Sequence, residues 1–333
     1  MTDRRLTVHE ANLLVVETLM RCCTSKANAE SVARALILAE LAGQLGHGLR
    51  RVAAYAAQAK SGKVDGMAVP SGQWTRPGTF AVDAAHGFAF PALDLAVAAL
   101  PKIARAQGIA MAGIRRSHHS GVAGLVVEAL AEKGLMALMV ANTPAAMAPW
   151  GAARPLFGTN PVAFAAPIAD AEPIVIDISL SKVARGKIMA AQQKGEPIPE
   201  GWALDANGQP TTDPTAALAG TMIAMGGAKG AALAIMVEML SAGLTGANYA
   251  FEATSYFDAQ GEPPGTGQTI IVIDPKALGF DTERRFALLA SLIEESEGAR
   301  LPGRRRQALR AKLSADGIVV DDDLRAQIEA AGR

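Results

Sequence analysis

Histidine is scarce in this chain of 333 residues, and one of the five histidines lies in a setting that suits chemistry. His47 stands between Gly46 and Gly48, and glycines beside a titratable ring let the backbone approach a ligand closely. Arg51 follows four residues later, one turn on if the segment is helical. An imidazole that donates a proton, beside a guanidinium that binds a carboxylate, suits the reduction of a 2-oxo acid. The alternative interpretation is a loop histidine between two helices, with solvated arginines.

A second candidate is the paired His118 and His119, which follow the apolar run 109–114 and precede a predicted helix. Backbone N–H groups at a helix N-terminus favour a phosphate or an amide, so this segment is a candidate cofactor or substrate contact. A metal site is disfavoured, because neighbouring side chains on an extended turn point apart and no third ligand is evident. A purely structural turn remains the alternative.

Two further polar positions occur where turns and strands are predicted to end. The turn 157–161 contains Thr159 and Asn160, whose side chains can bond a carboxylate or an amide, although turn chemistry alone also explains them. Asp177 ends an apolar strand, where a carboxylate either binds a ribose hydroxyl or caps the residues that follow.

Two predicted helices begin with unusual residues. Gly226 and Gly227 precede Lys229 at the start of an apolar helix, which favours either the approach of a phosphate or nicotinamide, or close helix packing. The run Arg304–Arg306 places three cations at a helix start, where they oppose the helix dipole. A dinucleotide phosphate would account for them, and so would a solvated run of charge. The familiar GxGxxG, P-loop, HExxH and GxSxG patterns are absent.

The elements that must position these groups differ along the chain. Residues 7–60 are predicted to be helical, with Thr7 and Glu10 spaced as a capping box, and three glycines between 43 and 48 interrupt the pattern. From 79 to 180 strands alternate with helices, which predicts an α/β domain with a partly parallel sheet. The predicted strands there are 79–83, 109–114, 135–142 and 173–178, and the helices are 91–107 and 122–133. Later elements are helices at 183–195, 229–244, 281–297 and 303–312, strands at 268–274 and 317–320, and a last helix.

Composition excludes several classes of protein. The 32 Lys and Arg residues balance 32 Asp and Glu residues, so general electrostatic binding to nucleic acid or to an anionic membrane is not expected. The apolar run 230–247 contains Glu238 and is interpreted as a core or interface helix, so no membrane association is predicted. The adjacent Cys22 and Cys23 are predicted to be reduced thiols on a helix of a cytoplasmic protein, and the N-terminus has no signal-peptide run.

Together these segments resemble one family, the malate/L-lactate dehydrogenases of the second, non-Rossmann type. Its relatives include sulfolactate dehydrogenases and the Δ1-piperideine-2-carboxylate/Δ1-pyrroline-2-carboxylate reductases. The resemblance covers nearly the whole chain and is carried by His47-Gly48 with Arg51, Ser117-His118-His119, Gly158-Thr159-Asn160-Pro161, Asp177 through Lys187, Lys229-Gly230, and Leu301-Pro302-Gly303.

The resemblance implies an α/β fold with a non-Rossmann, mixed-sheet NAD(P)-binding domain over residues 76–280. It also implies a mainly helical domain on the substrate side, formed by residues 1–75 and joined by 281–333 from the other chain end. A homodimer is implied as well.

The resemblance also implies roles for individual residues. His47 corresponds to the proton donor, and Lys187 is expected to take part in catalysis beside it. Expected substrate contacts are Arg51, Thr159, Arg185 and Gly186. Expected cofactor contacts are His119, Ser120, Gly121, Val122, Ala123, Asp177, Ile178, Ser179, Lys229, Gly303, Arg304, Arg305 and Arg306. NADP is slightly preferred over NAD, because the arginines at 304–306 can meet a 2′-phosphate, and no metal is expected.

Three departures from the family pattern bear on the substrate. Gly46 stands where the family usually has Ser, and Lys187 stands where the cyclic-imine reductases carry a carboxylate. Ala228 replaces a His that some relatives have before Lys229. The first two departures favour a small 2-oxo/2-hydroxy acid of the malate, lactate or sulfolactate type, whereas the segments 244–248 and 265–268 look more like the imine branch. We therefore expect hydride transfer between nicotinamide and C2 of such an acid. The alternatives are an NADPH-dependent cyclic-imine reductase and a non-catalytic nucleotide-binding protein.

Overall fold

Helices form both ends of the chain and strands occupy its middle. The structure is a computed structural model that describes residues 4–333. Its helices are α1 (Val8–Met20), α2 (Lys26–Leu41), α3 (Val52–Ser61), α4 (Ala89–Gln107), α5 (Ala123–Ala131), α6 (Arg185–Lys194), α7 (Pro214–Ala219), α8 (Ala228–Glu238), α9 (Thr282–Glu295), α10 (Arg304–Asp316) and α11 (Asp322–Ala331). Its strands are β1 (Arg4–Leu6), β2 (Ser71–Arg76), β3 (Thr79–Asp83), β4 (Ile109–Ser117), β5 (Met136–Ala141), β6 (Val162–Ile168), β7 (Ala171–Ile178), β8 (Ala203–Leu204), β9 (Pro210–Thr211), β10 (Thr221–Met222), β11 (Thr266–Ile273) and β12 (Ile318–Val320).

The start of α1 confirms the predicted capping box. The Thr7 hydroxyl accepts a hydrogen bond from the Glu10 backbone N–H at 3.1 Å, and the Glu10 carboxylate accepts from the Thr7 N–H at 2.8 Å. The glycine-rich stretch after α2 forms two 3₁₀ turns, Leu45–His47 and Leu49–Arg51, and the second leads directly into α3. His47 and Arg51 therefore lie on a short, tightly wound connection between two helices.

The central sheet confirms the predicted mixed topology. Its seven strands run in the order β2-β3-β4-β11-β5-β6-β7. Only β3 and β4 pair in parallel, and every other neighbouring pair in this sheet is antiparallel. Strands β2 and β6 were not predicted, and β2 gives little signal because all six of its residues are exposed. Because β4 ends at Ser117 and its partner β11 begins there at Thr266, the segments beyond both strands meet at one edge of the sheet.

The two chain ends are joined by an antiparallel pair, in which Leu6 of β1 lies opposite Ile318 of β12. Buried side chains of the terminal helices, such as Leu19 and Leu36, share one continuous apolar core with Ile114 and Leu130 of the sheet layer. The helices that carry His47 and Arg51 are therefore fixed against the sheet by apolar burial.

The two cysteines correct one prediction. They do not lie on a helix, because α1 ends at Met20 and both residues belong to the turn that follows. Cys23 adopts a left-handed backbone with φ of 54°, which a helix does not allow. Both thiols are free, and the buried Cys22 Sγ lies 3.1 Å from the Ala331 carbonyl oxygen.

The apolar run 230–247 forms α8 and a π-helical turn, Met239–Gly243. Within residues 4–333, no helix has both the length and the apolar character needed to cross a membrane. Glu238 closes α8 and is buried, and its carboxylate accepts hydrogen bonds from Asn160 Nδ2 at 2.8 Å and from the Ala250 N–H at 3.1 Å. The one charge in the run thus ties the end of α8 to two loops.

Candidate active site

Three side chains from two distant parts of the chain form a continuous hydrogen-bonded row. His47 Nδ1 lies 3.1 Å from His119 Nε2, and His119 Nδ1 lies 2.6 Å from the Tyr55 hydroxyl. The two imidazole rings are stacked, with centroids 5.0 Å apart and planes 12° apart. His119 and Tyr55 are buried, whereas His47 is partly exposed. The row therefore runs from the interior of the protein to an accessible ring.

The row has two self-consistent directions. When the Tyr55 hydroxyl donates to His119 Nδ1, the His119 proton is on Nε2 and points at His47 Nδ1. When His47 carries a proton on Nδ1, both bonds reverse and the Tyr55 hydroxyl accepts. His47 Nε2 forms no hydrogen bond with any residue in the described chain, so it is the nitrogen available to a ligand. A proton at Nε2 can thus be exchanged while the row behind it reverses.

Aromatic and amide groups surround the row and exclude water from it. The His118 ring is buried against the edges of Tyr55 and Phe88, with Tyr256 tilted against it at 5.1 Å. The His118 backbone carbonyl accepts a hydrogen bond from Gln268 Nε2 at 3.2 Å, which fixes the chain just before His119. Neither ring nitrogen of His118 has a hydrogen-bond partner within residues 4–333.

Arg51 supplies a positive charge without a negative partner. Its Nε donates to the Gly46 carbonyl oxygen at 2.7 Å, and its guanidinium lies 4.5 Å from the ring centre of Phe257. In the part of the chain that the structure describes, no carboxylate forms an ion pair with it. A guanidinium oriented by a carbonyl and an aromatic face, but unpaired, is suited to bind an external carboxylate.

Burial and this charge set the protonation of the histidines. Burial, and then the nearby Arg51 charge, lower the pKa of His47 to about 4. Burial, Arg51 and Lys63 lower the pKa of His118 to about 3, and burial, Arg51 and the two neighbouring histidines hold the pKa of His119 well below its usual value. The unliganded site therefore contains neutral imidazoles near pH 7.

The loop that carries Tyr256 and Phe257 is fastened to α3. The buried Lys63 donates to the Ser255 carbonyl at 2.8 Å and to the Asp258 carboxylate at 3.1 Å. Gln58 Nε2 donates to the Tyr256 carbonyl at 3.0 Å. The Phe257 ring that contacts Arg51 is thereby fixed relative to α3, which carries Tyr55.

A second polar cluster lies where α5, β7 and α10 meet. Asp177 Oδ2 accepts a hydrogen bond from the Gly124 N–H at 2.9 Å, and Arg306 Nη1 lies 3.7 Å from the same oxygen. A Cβ at position 124 would collide with the side chains of both Asp177 and Arg306, so this position requires glycine. Burial raises the pKa of Asp177 above its usual value. The Arg306 Nε is buried without a hydrogen-bond partner among the described residues, and so remains free for an acceptor.

Thr159 lies in a turn that is held from both sides. Its N–H donates to Thr143 Oγ1 at 2.9 Å, and its neighbour Asn160 is fully buried in a left-handed conformation with φ of 42°. Asn160 donates to the Glu238 carboxylate, so this buried charge fixes the turn.

Other expected contacts lie at the starts of three helices. Arg185, Gly186 and Lys187 form the first turn of α6, and burial lowers the pKa of Arg185. Lys187 is exposed and forms no hydrogen bond or ion pair with His47 in the described chain. Lys229 is exposed on the first turn of α8.

Gly303, with φ of 91°, precedes α10. Arg304 Nε pairs with Glu294 at 3.1 Å, so two of the three arginines at this helix start, Arg304 and Arg306, face carboxylates of the chain itself. Arg305 is exposed.

The segment 119–123 connects β4 to α5 and contains His119, Ser120, Gly121, Val122 and Ala123. Both ring nitrogens of His119 are engaged by His47 and Tyr55, so a cofactor contact from His119 would have to use its backbone. Ile178 and Ser179 follow Asp177 at the end of β7.

Sequence reasoning missed Tyr55 and Tyr256. Tyr55 carries a weak signal, since it is one of three tyrosines in the chain and lies one helical turn after Arg51. Tyr256 lies in a Gly- and Pro-rich loop region and carries no spacing signal at all. Its hydroxyl is 2.7 Å from Thr266 Oγ1 at the start of β11.

Comparison with known proteins identifies the family of this chain. Residues 6–329 match the model of a family described as malate/L-lactate dehydrogenase. The chain belongs to this family. The predicted family and the predicted α/β fold are therefore confirmed. The prediction that the protein is an oxidoreductase, a dehydrogenase or reductase, is confirmed as well.

Three family members illustrate the similarity. The chain is 49% identical to a (2R)-3-sulfolactate dehydrogenase (NADP(+)) from Chromohalobacter salexigens, covering 96% of this chain and 97% of that protein. It is 39% identical to a Δ1-pyrroline-2-carboxylate/Δ1-piperideine-2-carboxylate reductase from Pseudomonas aeruginosa, with 98% of each chain covered. The crystal structure of Δ1-piperideine-2-carboxylate reductase from Pseudomonas syringae superposes with a TM-score of 0.93 at 38% identity, over 98% of this chain and 99% of that one.

Replacing Arg51 by Met should raise the pKa of His47 above its value of about 4, because one of the two causes that lower it is removed. The value should stay below 6.5, since burial remains. An NMR titration of the histidine side chains, assigned with a His47→Gln variant, measures this. Arg50→Met is the control, because Arg50 lies near Asp321 at 4.0 Å and is not among the causes acting on His47. An unchanged His47 titration in Arg51→Met would contradict the electrostatic account.

Proposed function

We propose that this protein transfers a hydride between the nicotinamide of NADP and C2 of a small 2-oxo/2-hydroxy acid. One observation carries the proposal: an accessible His47 Nε2 beside the unpaired Arg51, supported from behind by His119 and Tyr55. The arrangement supplies a proton and a carboxylate site at the same place. These are the two functions that reduction of a 2-oxo acid requires of protein side chains.

Arg51 binds the substrate carboxylate, and this binding acts on His47. A carboxylate on Arg51 neutralises the charge that lowers the pKa of His47, so substrate binding raises that pKa and favours the protonated ring. His47 then donates its Nε2 proton to the substrate oxygen during reduction. Its Nδ1 remains bonded to His119, and the row through Tyr55 adjusts its direction. In the oxidative direction, neutral His47 accepts the proton from the hydroxyl group.

The chain has groups that fit a dinucleotide. The buried and unpartnered Arg306 Nε lies in the same cluster as the Asp177 carboxylate, which supports the proposed contacts from Asp177, Ile178 and Ser179. Further proposed contacts are the segment 119–123, Lys229, Gly303 and the arginines 304–306. When bound, the nicotinamide supplies or accepts the hydride. NADP is preferred over NAD, in agreement with the name of the Chromohalobacter relative.

The substrate class is proposed as a 2-oxo acid of the lactate, malate or sulfolactate type. It is supported by the 49% identity to a sulfolactate dehydrogenase. Lys187 favours the same class only through the family resemblance. Reduction of cyclic imines is the second candidate, supported by the 39% identity to a pyrroline-2-carboxylate reductase. Thr159, Arg185 and Gly186 are the further proposed substrate contacts.

The direct test follows oxidation of NADPH and NADH with pyruvate, oxaloacetate, sulfopyruvate and the pyrroline and piperideine carboxylates. With a 2-oxo acid, log kcat/KM should fall with a slope of about one per pH unit between pH 5 and 8, because the proton donor of the free protein has a pKa of about 4. His47→Gln should lower kcat by at least about a hundredfold while NADPH still binds. If NADPH binds measurably but neither NADPH nor NADH is oxidised with any of these substrates, the non-catalytic alternative is favoured.

The choice between the two substrate classes can be tested with Gly46 and Lys187. A side chain added at Gly46 would meet nothing within 4 Å, so Gly46→Ser should fold normally. Lys187 is exposed, so Lys187→Asp should fold as well. We expect Lys187→Asp to lower 2-oxo acid reduction and the double variant to raise cyclic-imine reduction. If 2-oxo acid reduction survives Lys187→Asp unchanged, Lys187 has no role in selecting the substrate.

We further propose a homodimer and a cytoplasmic location, the latter in keeping with two free cysteines. Leu233, Ile235 and Met236 of α8 are exposed, as is Met239 at the start of the π-helical turn, and a second copy of the chain is the proposed occupant of this apolar surface.

Met236→Glu should therefore convert a dimer, at twice the 34.4 kDa chain mass, into a monomer in sedimentation equilibrium. Val69→Glu is the control, since Val69 is an exposed apolar residue of the loop between α3 and β2 and not of this helix. A wild-type monomer at micromolar concentration, or a dimer that Met236→Glu leaves intact, would contradict the proposed interface.

A further inference from the structure

A buried carboxylate that the proposed chemistry does not use lies directly beneath the active-site connection. Glu40 belongs to the last turn of α2 and is 4% exposed. Its Oε1 accepts a hydrogen bond from the Leu49 N–H at 2.7 Å. Leu49 begins the 3₁₀ turn that contains Arg51 and leads into α3 with Tyr55. The carboxylate thus satisfies a backbone donor at the start of the helical segment that carries two site residues.

Glu40 also determines which residue can follow His47. A Cβ at Gly48 would overlap the Glu40 side chain, including its carboxyl carbon at 2.6 Å. At Gly46, on the other side of His47, a Cβ would meet nothing within 4 Å. Gly48 is therefore required by contact with Glu40, and the backbone of Gly48 and Leu49 is packed directly on this carboxylate.

We propose that Glu40 is a positioning residue, which fixes the backbone between His47 and Arg51 and so sets the distance between proton donor and carboxylate site. His47 and Arg51 are four residues apart. Among the described residues, the Leu49 N–H is the one backbone group between them that is bonded by a buried side chain from another element. The inference rests on the proposed function for its kinetic test, but not for its structural one.

A stabilising role and a positioning role predict opposite effects on the free energy of unfolding when the charge of Glu40 is removed. Burial raises the pKa of Glu40 to about 7, against the opposing effects of the Leu49 N–H and of Arg50, the charged group that acts on it in the described chain. Because the folded pKa lies above the ordinary value of 4.5, the stability that this group contributes is full below about pH 4.5 and is lost as the pH rises through 7. Ionisation of Glu40 as the pH rises to 8 therefore lowers the free energy of unfolding.

Glu40→Gln keeps the volume and an oxygen acceptor but removes the charge. We expect kcat/KM for the 2-oxo acid to fall on the order of tenfold, because a small displacement of donor against carboxylate site is sufficient. The melting temperature at pH 8 should be equal to or higher than that of the unmodified protein. Amide exchange of the peptide 45–52, followed by mass spectrometry, should be faster because a neutral acceptor holds the Leu49 N–H less firmly. Glu30→Gln is the matched control, since Glu30 is an exposed residue of the same helix.

Gly48→Ala provides a second variant, because its methyl group must displace the Glu40 carboxylate. It should reproduce the kinetic defect, and combining it with Glu40→Gln should add little, since both disturb one contact. The proposal is overturned if Glu40→Gln leaves kcat, KM and exchange of the peptide as they are, or if activity falls only in parallel with melting temperature. The exchange readout needs no substrate, so failure of the proposed function would leave it interpretable.

Discussion

The unpaired guanidinium of Arg51 is the constraint on which the rest of the site depends. No carboxylate of the described chain forms an ion pair with this half-buried cation, so other contacts must hold it. The Gly46 carbonyl and the Phe257 ring provide these contacts. Its charge lowers the pKa of every imidazole around it, so that the three histidines can pack closely as neutral rings. Without that charge, protonation of one ring would be less unfavourable and the stacked pair would be less well defined. Under the proposed function, a substrate carboxylate pairs with this cation, and that pairing couples substrate binding to proton donation by His47.

The fold has to bring three chain segments to this cation. The 3₁₀ connection supplies His47 and Arg51, the end of β4 supplies His119, and the loop before β11 supplies Tyr256 and Phe257. The β4–β11 pairing places the last two segments at one edge of the sheet. From α3, Tyr55 bonds His119 and Gln58 bonds the Tyr256 carbonyl, while Lys63, just after α3, bonds the Ser255 carbonyl. Because each segment is anchored to a different element, the position of His47 relative to His119 depends on how the helical layer packs on the sheet. The continuous apolar core between these layers is thus what determines a 3.1 Å contact across 72 positions of sequence.

Local features of the site were predictable, and contacts between distant segments were not. The spacing of His47 and Arg51, the helix starts predicted at 122 and 303, each within one residue of the structure, and the end of the strand at 178 follow from periodicity, glycine and capping signals, which act over a few residues. The seven-strand order and the row through Tyr55 depend on pairings between remote segments, for which a single sequence contains no signal. His119 was accordingly assigned to the cofactor from its place before a helix, whereas the structure engages both of its ring nitrogens with other side chains. The cysteines were wrongly placed for a local reason, since helical periodicity does not show where α1 ends.

Several groups around the site are arranged at the expense of stability, and their distribution is informative. Burial raises the pKa of Glu40, Asp177 and Glu238, and His118 has no partner for either ring nitrogen in the described structure. A buried polar group without a partner destabilises a fold by about 1–3 kcal/mol, so random accumulation of such groups is not expected. Each of these three carboxylates accepts a backbone N–H from another segment: Leu49 for Glu40, Gly124 for Asp177, and Ala250, in the loop before β11, for Glu238. Neutral amides would accept the same bonds with less desolvation, but they would hold the backbone less firmly. At all three places a buried carboxyl group holds a backbone segment at a cost in desolvation, so its structural contribution is local rigidity of the segment that it binds.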